Sequence, residues 1–528
     1  MRYSGFANIL NVLPIRKIAV LAVLGLSSIT SIPANVSDIP PGVPAEIRKL
    51  LKEATKLTRA GKLVESEAML RRAIAADEKR IEAKIELAYV FTKQRRLGEA
   101  YEIVFPIAKD HPTSARAFAV LGATMLTGGR FRDARALFFN AIKLDRKEDL
   151  AWAGYGMLDF YENKIGDSLQ NLQEAVFYEP EEPDYLFALA QVSARAERYA
   201  DAADAYKDFL SVSNAADADR RARIRGLINF LRFLGQAGKL YTSTGKDETS
   251  IPFELVGNRP IIKMRVNGGD EPLRFVLDTG SGISVISEAT AKRLKIRSIT
   301  KGGFARGIGG NGKFEIVYGL LREVKIGDVN MRQVPVYLRK FHTEGHQVDG
   351  YIGLALISKF LTTIDYGAKT FSLTKKEVDK RDFRENTGEL SLPLRLTSSG
   401  FLSGEVHLQG VEAPLNFIVD TGASVSVISS DVARADAMLP FANEERLRVI
   451  GSAGITNDVQ TFKLPRVTFG THSRTDITAV ALDLDLINEA SGFEQSGILG
   501  GNFLKNYRLT FDFKNSRVTF VSVNSEPE

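Results

Sequence analysis

The chain has no cysteine among its 528 residues. That absence removes disulfides, thiol nucleophiles, cysteine-based metal sites and lipoprotein anchoring together. Stability has to come from packing alone. Histidine is scarce as well, with five in the chain. His111, His407 and His472 lie far apart in sequence, and none has a serine context that suggests a triad. His342 and His346 flank Glu344 four residues apart, a spacing that on a helix could bind a metal. Gly345 interrupts them and the stretch reads as a solvated loop, so no metal and no organic cofactor are expected. Charge of one sign is also missing, because the net charge is +6 and the basic residues are scattered. That balance reads as solubility and speaks against nucleic-acid binding. The apolar run at 18–26 is too short for a membrane span. With Arg2, Arg16 and Lys17 before it and Ser-Ile-Pro-Ala ending at Ala34 after it, residues 1–34 read as an export signal. The alternative is an uncleaved anchor. Either way the rest of the chain is expected outside the cytoplasm, in a periplasm or secreted.

What is present is ordinary globular composition, 44% hydrophobic and 25% charged, over a length that suggests three to four domains. From about 44 to 215 the pattern repeats. Small residues recur at Ala54, Ala88, Gly122, Gly156 and Ala190, and again at Ser66, Ala100, Ala134, Ser168 and Ala202, every step being 34 residues. Small side chains let two antiparallel helices approach closely, while Leu70, Val104, Phe138, Leu172 and Tyr206 fill the gap to the neighbouring repeat. Pro112 and Pro180 fall where second helices should end. The period and register resemble tetratricopeptide repeats, five of them. The basic helical stretch within 217–240 reads as a cap with a charged outer face, giving an array over 44–240. The resemblance implies a binding surface for a peptide or protein, the alternative being a spacer or brace.

After the polar stretch 242–249, expected to be a linker, short alternating runs separated by glycine turns indicate many short strands. Residues 261–266 and 273–277 read as a hairpin leading into FVLDTGSGISVIS, which ends at Ser287; the same layout precedes FIVDTGASVSVIS, which ends at Ser429. The duplication continues downstream. Gly-Tyr-Ile-Gly at Gly350–Gly353 matches Gly-Ile-Leu-Gly at Gly497–Gly500, and Asp365 and Asp512 each lie twelve residues beyond the final glycine. Two lobes are expected, 250–381 and 389–528. Chemistry explains why two aspartates are informative: carboxyls about 3 Å apart cannot both ionise, so one can activate water while the other supplies a proton.

These motifs resemble the aspartic peptidases of the pepsin and retropepsin clan, and each lobe is nearer in size to a retropepsin subunit. The expected architecture is therefore multidomain, an all-α tetratricopeptide solenoid followed by an all-β bilobal peptidase domain. The resemblance implies a catalytic pair of Asp278 and Asp420. It implies that Thr279 and Thr421 hydrogen-bond across the lobes, and that Gly280 and Gly422 let the loops meet without a Cβ clash. Ser281 matches a position whose hydroxyl often supports the catalytic carboxylate, and its counterpart is Ala423, so the support is expected to be asymmetric. Gly307, Gly309 and Gly310 fall where the clan has a flap, with Gly451 and Gly454 as the second-lobe counterpart. Gly307, Gly309 and Gly312 also spell a dinucleotide fingerprint, but no helix or acidic residue follows as a βαβ unit requires. Neither flap carries a tyrosine near its tip; Tyr318 falls further along, in a returning strand. Asp349, Asp365 and Asp512 read as structural. The function expected is an exported aspartic endopeptidase acting on a polypeptide, its repeats holding substrate or a protein partner. The rivals are a non-catalytic peptide-holding scaffold and a peptidase that cuts its own chain, with 242–249 as the candidate cut.

Overall fold

In a computed structural model the described residues are 44–214, 217–310, 313–341, 348–376 and 390–523. The export signal expected over 1–34, the pair His342 and His346, and the lobe junction at 381–389 lie outside them. The chain divides into two compact units near residue 217.

The first unit is a helical repeat array. Five antiparallel pairs run from Ala45–Arg59 with Leu63–Ala76 to Pro183–Arg195 with Tyr199–Val212. Close approach within each pair rests on the small positions. A Cβ on Gly122 would stand 2.8 Å from the Phe138 ring, and the Ser168 hydroxyl donates to the Gly156 carbonyl at 2.7 Å. Helices end at Asp110 and Tyr178, just before Pro112 and Pro180. The turn inside each pair carries a left-handed residue at the same 34-residue spacing, Gly61, Arg95, Gly129, Asn163 and Glu197. Only two of these are glycine, so the sequence does not announce this turn. The array also curls so that its first two pairs meet the start of its last pair and the turn leading into it. Arg59 lies 2.7 Å from Glu179, and Lys93 of the second pair lies 2.8 Å from Asp184.

The second unit holds two β lobes and a sheet shared between them. The shared sheet runs Leu390–Pro393, Arg517–Ser522, Tyr507–Asp512, Phe360–Asp365, Thr370–Lys375, Glu248–Pro252, with the lobes joined where Thr363 pairs with Thr510. Phe360, Phe371, Phe511 and Phe520 of this sheet are fully buried, as is Tyr507. The stretch 242–249 is not a free linker. Thr242–Gly245 pairs with the strand Val329–Arg339, and Thr249 is paired with Leu373. A protease needs an extended, unpaired chain, so this stretch is a poor place for self-cleavage.

The helix Ala218–Gln236, expected to cap the repeats, groups with the β unit instead. Its Phe230 stacks on Tyr318 with ring centroids 4.3 Å apart, and Arg223 donates to the Phe304 carbonyl at 3.1 Å. Gly226 is what permits the approach, because a Cβ there would lie 2.3 Å from the Lys301 carbonyl oxygen. Tyr318 thus serves as the seat of this helix. Phe230 is 2% exposed, so Phe230→Ala should destabilise the packing by about 3–5 kcal/mol. Faster amide exchange confined to Ser298–Arg306 and the helix would check it; unchanged exchange there would show that the helix does not brace this strand.

Candidate active site

Each lobe builds its aspartate loop in the same way. In the first, the central glycine strand Gly350–Ile352 lies parallel to Leu273–Leu277 and antiparallel to Ser284–Ser287. In the second, Gly497–Leu499 lies between Leu415–Val419 and Ser426–Ser429. Only glycine fits at the start of those central strands. A Cβ on Gly350 would lie 2.2 Å from the Phe275 ring, and one on Gly497 would lie 2.3 Å from the Phe417 ring. The central strands then hold the loops, because Asp278 N–H donates to the Ile352 carbonyl and Asp420 N–H to the Leu499 carbonyl, both at 3.0 Å. Ser284 and Ser426 complete this frame by accepting from the Gly353 and Gly500 N–H groups, each at 3.1 Å. Sequence reading passed over both serines, although they recur in the shared Ser-Val-Ile-Ser.

The loops are locked to each other by the threonines. Thr279 Oγ1 donates to the Val419 carbonyl at 2.6 Å, and Thr421 Oγ1 donates to the Leu277 carbonyl at 2.7 Å. Each threonine N–H also donates to the other's hydroxyl at 3.1 Å. Both side chains are fully buried. Gly280 and Gly422 face the carboxyls of the opposite lobe. A Cβ on Gly280 would stand 2.4 Å from Asp420 Cγ, and one on Gly422 would stand 2.6 Å from Asp278 Oδ1.

Asp278 and Asp420 hydrogen-bond to each other through their side chains. Burial pushes Asp278 well above the usual carboxylate range, and the charge of Asp420 pushes it further. Burial also raises Asp420, but hydrogen bonds from backbone N–H groups oppose that shift. Gly422 donates to its Oδ1 at 2.7 Å and Ala423 at 3.2 Å, whereas Asp278 Oδ1 accepts from Gly280 at 3.0 Å. Asp278 is raised the more strongly, because Asp420 has more backbone N–H donors to oppose its shift. Ser281 does not supply the expected support, since its hydroxyl turns back to donate to the Ile283 carbonyl at 2.7 Å. The asymmetry between the lobes is therefore in backbone N–H donors and not in that hydroxyl.

Both flaps are hairpins. Ser298–Arg306 pairs with Lys313–Ile326, and Ala442–Gly451 with Gly454–Phe469. Their tips meet. Ala453 N–H donates to the Ile308 carbonyl at 2.8 Å, and Gly310 N–H to the Ile455 carbonyl at 3.2 Å. Gly309 and Gly310 have φ of +92° and +56° and pass so close to Gly454 and Ala453 that a Cβ would collide with their carbonyls. Gly451 is as crowded, its added Cβ standing 2.2 Å from the Ile308 carbonyl oxygen. Gly307 and Gly309, which spelled part of a nucleotide fingerprint, belong to a hairpin tip, and Gly312 lies outside the described residues. Asp349, Asp365 and Asp512 organise turns: Asp349 accepts from Arg274 N–H and Thr290 Oγ1, Asp365 from Ala368 N–H, and Asp512 from the N–H groups of Lys514 and Asn515.

Two arginines that no motif flagged stand beside the pair. Arg259 hydrogen-bonds the Tyr351 side chain, and its charge acts on Asp278. Arg339 stacks 3.6 Å over the Phe314 ring of the first flap and donates to the Ser452 carbonyl at the tip of the second.

No curated protein matches the chain. An aspartic proteinase from Irpex lacteus is similar at 14% identity, covering 52% of this chain and 97% of that one, with a TM-score of 0.35. A thermophilic TPR protein of Thermus thermophilus is similar at 18% identity, covering 34% of this chain and 98% of that one, with a TM-score of 0.30. A solved structure from the functional characterisation of Pseudomonas aeruginosa pilF is similar at 15% identity over 36% of this chain and 88% of that one, with a TM-score of 0.27. A family model described as aspartyl protease matches residues 262–356 and again 404–503. One match falls in each lobe and each contains one Asp-Thr-Gly loop, so it is the β unit of this chain, taken as a pair of lobes, that resembles the aspartyl protease family.

Proposed function

We propose that the chain is an exported aspartic endopeptidase whose Asp278 and Asp420 share one proton and activate water against a peptide bond. The observation that carries this reading is the pairing of the two carboxyls beneath two flaps, held by four hydrogen bonds between Thr279, Thr421 and the opposite lobe. Asp420, steadied as an anion by backbone N–H donors, takes a proton from water as the oxygen attacks the carbonyl carbon. Asp278 gives its proton to the carbonyl oxygen, producing a neutral tetrahedral diol. Asp420 then gives its proton to the amide nitrogen while Asp278 takes one back from a diol hydroxyl, so the C–N bond breaks to an amine and a carboxylic acid and one proton remains on the pair. No metal is needed for this sequence. The helical repeats would hold the polypeptide substrate or a protein partner, and export rests on the signal-like residues 1–34.

Incubating the purified protein with a peptide library across acidic to neutral pH tests the reading. Internal peptide bonds should be cut, and the rate should follow a bell, because only the singly protonated pair works. Both carboxyls are shifted upward, so both limbs should lie at higher pH than ordinary aspartates would give. A wild-type protein that cuts nothing at any pH would sink the proposal.

A further inference from the structure

Two arginines of the first lobe, Arg259 and Arg339, interact with the charge of Asp278. Arg259 opens the strand Arg259–Val266, which pairs with Leu273–Leu277, the strand that leads into Asp278. It bonds Tyr351, whose neighbour Ile352 anchors the Asp278 N–H. Arg339 arrives from the end of Val329–Arg339, eighty positions later. Its contacts fix its height in the cleft. It touches Phe314 in one flap and Ser452 at the tip of the other, and the charge of Asp278 acts on it. A peptide lying between the carboxyls and the flaps has to pass this guanidinium.

Neither arginine has a carboxylate partner among the described residues except the charge of Asp278 itself. Other cations of the first lobe do: Arg274 pairs with Glu254, Arg293 with Asp349 and Lys301 with Glu315. The Nε–H groups of both Arg259 and Arg339 are also buried without a hydrogen-bond acceptor. A buried donor on a cation carries a desolvation penalty that an anionic acceptor relieves best. An arginine kept here only to fill space is a poor economy when a neutral side chain would avoid that penalty.

We propose that Arg259 and Arg339 form a subsite for an acidic side chain, so that the enzyme selects an Asp or Glu directly flanking the bond it cuts, on the Asp278 side. This rests on the peptidase reading. The shared-proton pair carries a negative charge that would repel a neighbouring substrate carboxylate, and the two guanidinium groups offset that repulsion. Arginine suits the task because its planar fork binds a carboxylate with two donors and keeps its charge when buried.

The test uses matched peptides that differ only in Glu or Gln flanking the cleaved bond, assayed with the full chain above about pH 5, where a free glutamate is ionised. The Glu peptide should have kcat/KM at least about tenfold higher, the scale of a charge-assisted pair. Arg339→Met and Arg259→Met should each shrink that ratio, and Arg339→Lys should retain part of it. Arg339→Glu should turn the preference toward a peptide with Lys at that position. The ratio is measured within one preparation, so a variant that folds poorly still reports it, and an arginine that only props the flaps would leave it unchanged. If wild type cuts both peptides within twofold, or the variants keep the wild-type ratio, the acidic subsite is wrong and the peptidase reading stands. If wild type cuts no peptide at all, the peptidase reading falls and the subsite falls with it.

Discussion

Asp278→Asn should abolish peptide cleavage and at the same time raise the unfolding temperature at neutral pH. Loss of activity follows from removing the group that holds the shared proton, with about 10²- to 10⁴-fold expected from general acid-base assistance alone. The gain in stability follows from linkage. The carboxyl of Asp278 is raised well above its ordinary value, first by burial and then by Asp420. The native state therefore binds a proton that the unfolded chain releases above about pH 4. Its contribution to stability is complete below the unfolded value and is lost as pH rises from there through the raised native one. Asparagine does not titrate, and its Nδ2–H can replace the carboxyl O–H facing Asp420, so the variant escapes that loss. At roughly 2–4 °C per kcal/mol, a shift of several degrees is within reach. Wild type and variant should converge near or below about pH 4 and separate as pH rises. Asp420→Asn should be equally inactive but gain less, because the anion of Asp420 is already favoured by N–H groups of Gly422 and Ala423. Calorimetry on the three proteins across pH, beside a peptide assay, distinguishes these cases. An Asp278→Asn protein that melts lower than wild type at neutral pH would mean that the carboxyl is not raised as argued.

The two aspartates could be matched from sequence because close packing leaves few residue choices around them. Gly350 and Gly497 sit against phenylalanine rings, Gly280 and Gly422 against carboxyls, and both pairs therefore appear in duplicate as glycine. The repeats were legible for a similar reason, since a 34-residue period records how often one helix pair must leave room for the next. Polar groups with several possible partners were harder. Nothing in the letter at Ser281 says whether its hydroxyl turns to Asp278 or back to Ile283, and the fold chooses Ile283.

Long-range pairing is the other source of error. The basic stretch within 217–240 read as a cap of the repeats, and the side chains the helix Ala218–Gln236 buries, Ile224, Ile228, Leu231 and Leu234, do not by themselves say what covers them. Gly226 was the overlooked signal, because a glycine inside a helix often marks a close approach, here to Lys301. The stretch 242–249 is polar enough to read as a linker, yet Thr242–Gly245 finds its partner strand ninety residues away in Val329–Arg339. Arg259 and Arg339 share no motif and are brought to one side of the cleft only by the fold.

Joining the two flaps covalently should stop the proposed peptide cleavage reversibly. Cβ atoms at Gly307 and Ser452 would be 3.4 Å apart, close to the roughly 3.5–4.5 Å that a disulfide spans. Gly307 lacks the positive φ of Gly309 and Gly310, so it accepts a Cβ, with the Phe314 ring giving way by a few tenths of an ångström. The chain has no cysteine to compete, and Gly307→Cys with Ser452→Cys can form only this bridge within the molecule. The tips are otherwise held by main-chain hydrogen bonds, Ala453 to Ile308 and Gly310 to Ile455, and by the bond from Arg339 to Ser452. Each is worth about 1 kcal/mol net, more for the charged donor, so thermal opening is easy without the bridge and forbidden with it. A polypeptide that enters by parting the flaps should be cut at least about 100-fold more slowly by the oxidised protein. Reductant should restore activity, and each single cysteine variant should ignore the redox state. The first flap is already braced by Phe230 on Tyr318, so the opening motion falls mainly to the hairpin of the second lobe. Adding Phe230→Ala to the oxidised double variant should therefore rescue nothing. Undiminished cleavage of a long polypeptide by the oxidised protein would mean that substrate threads in from the side and that the tips need not part.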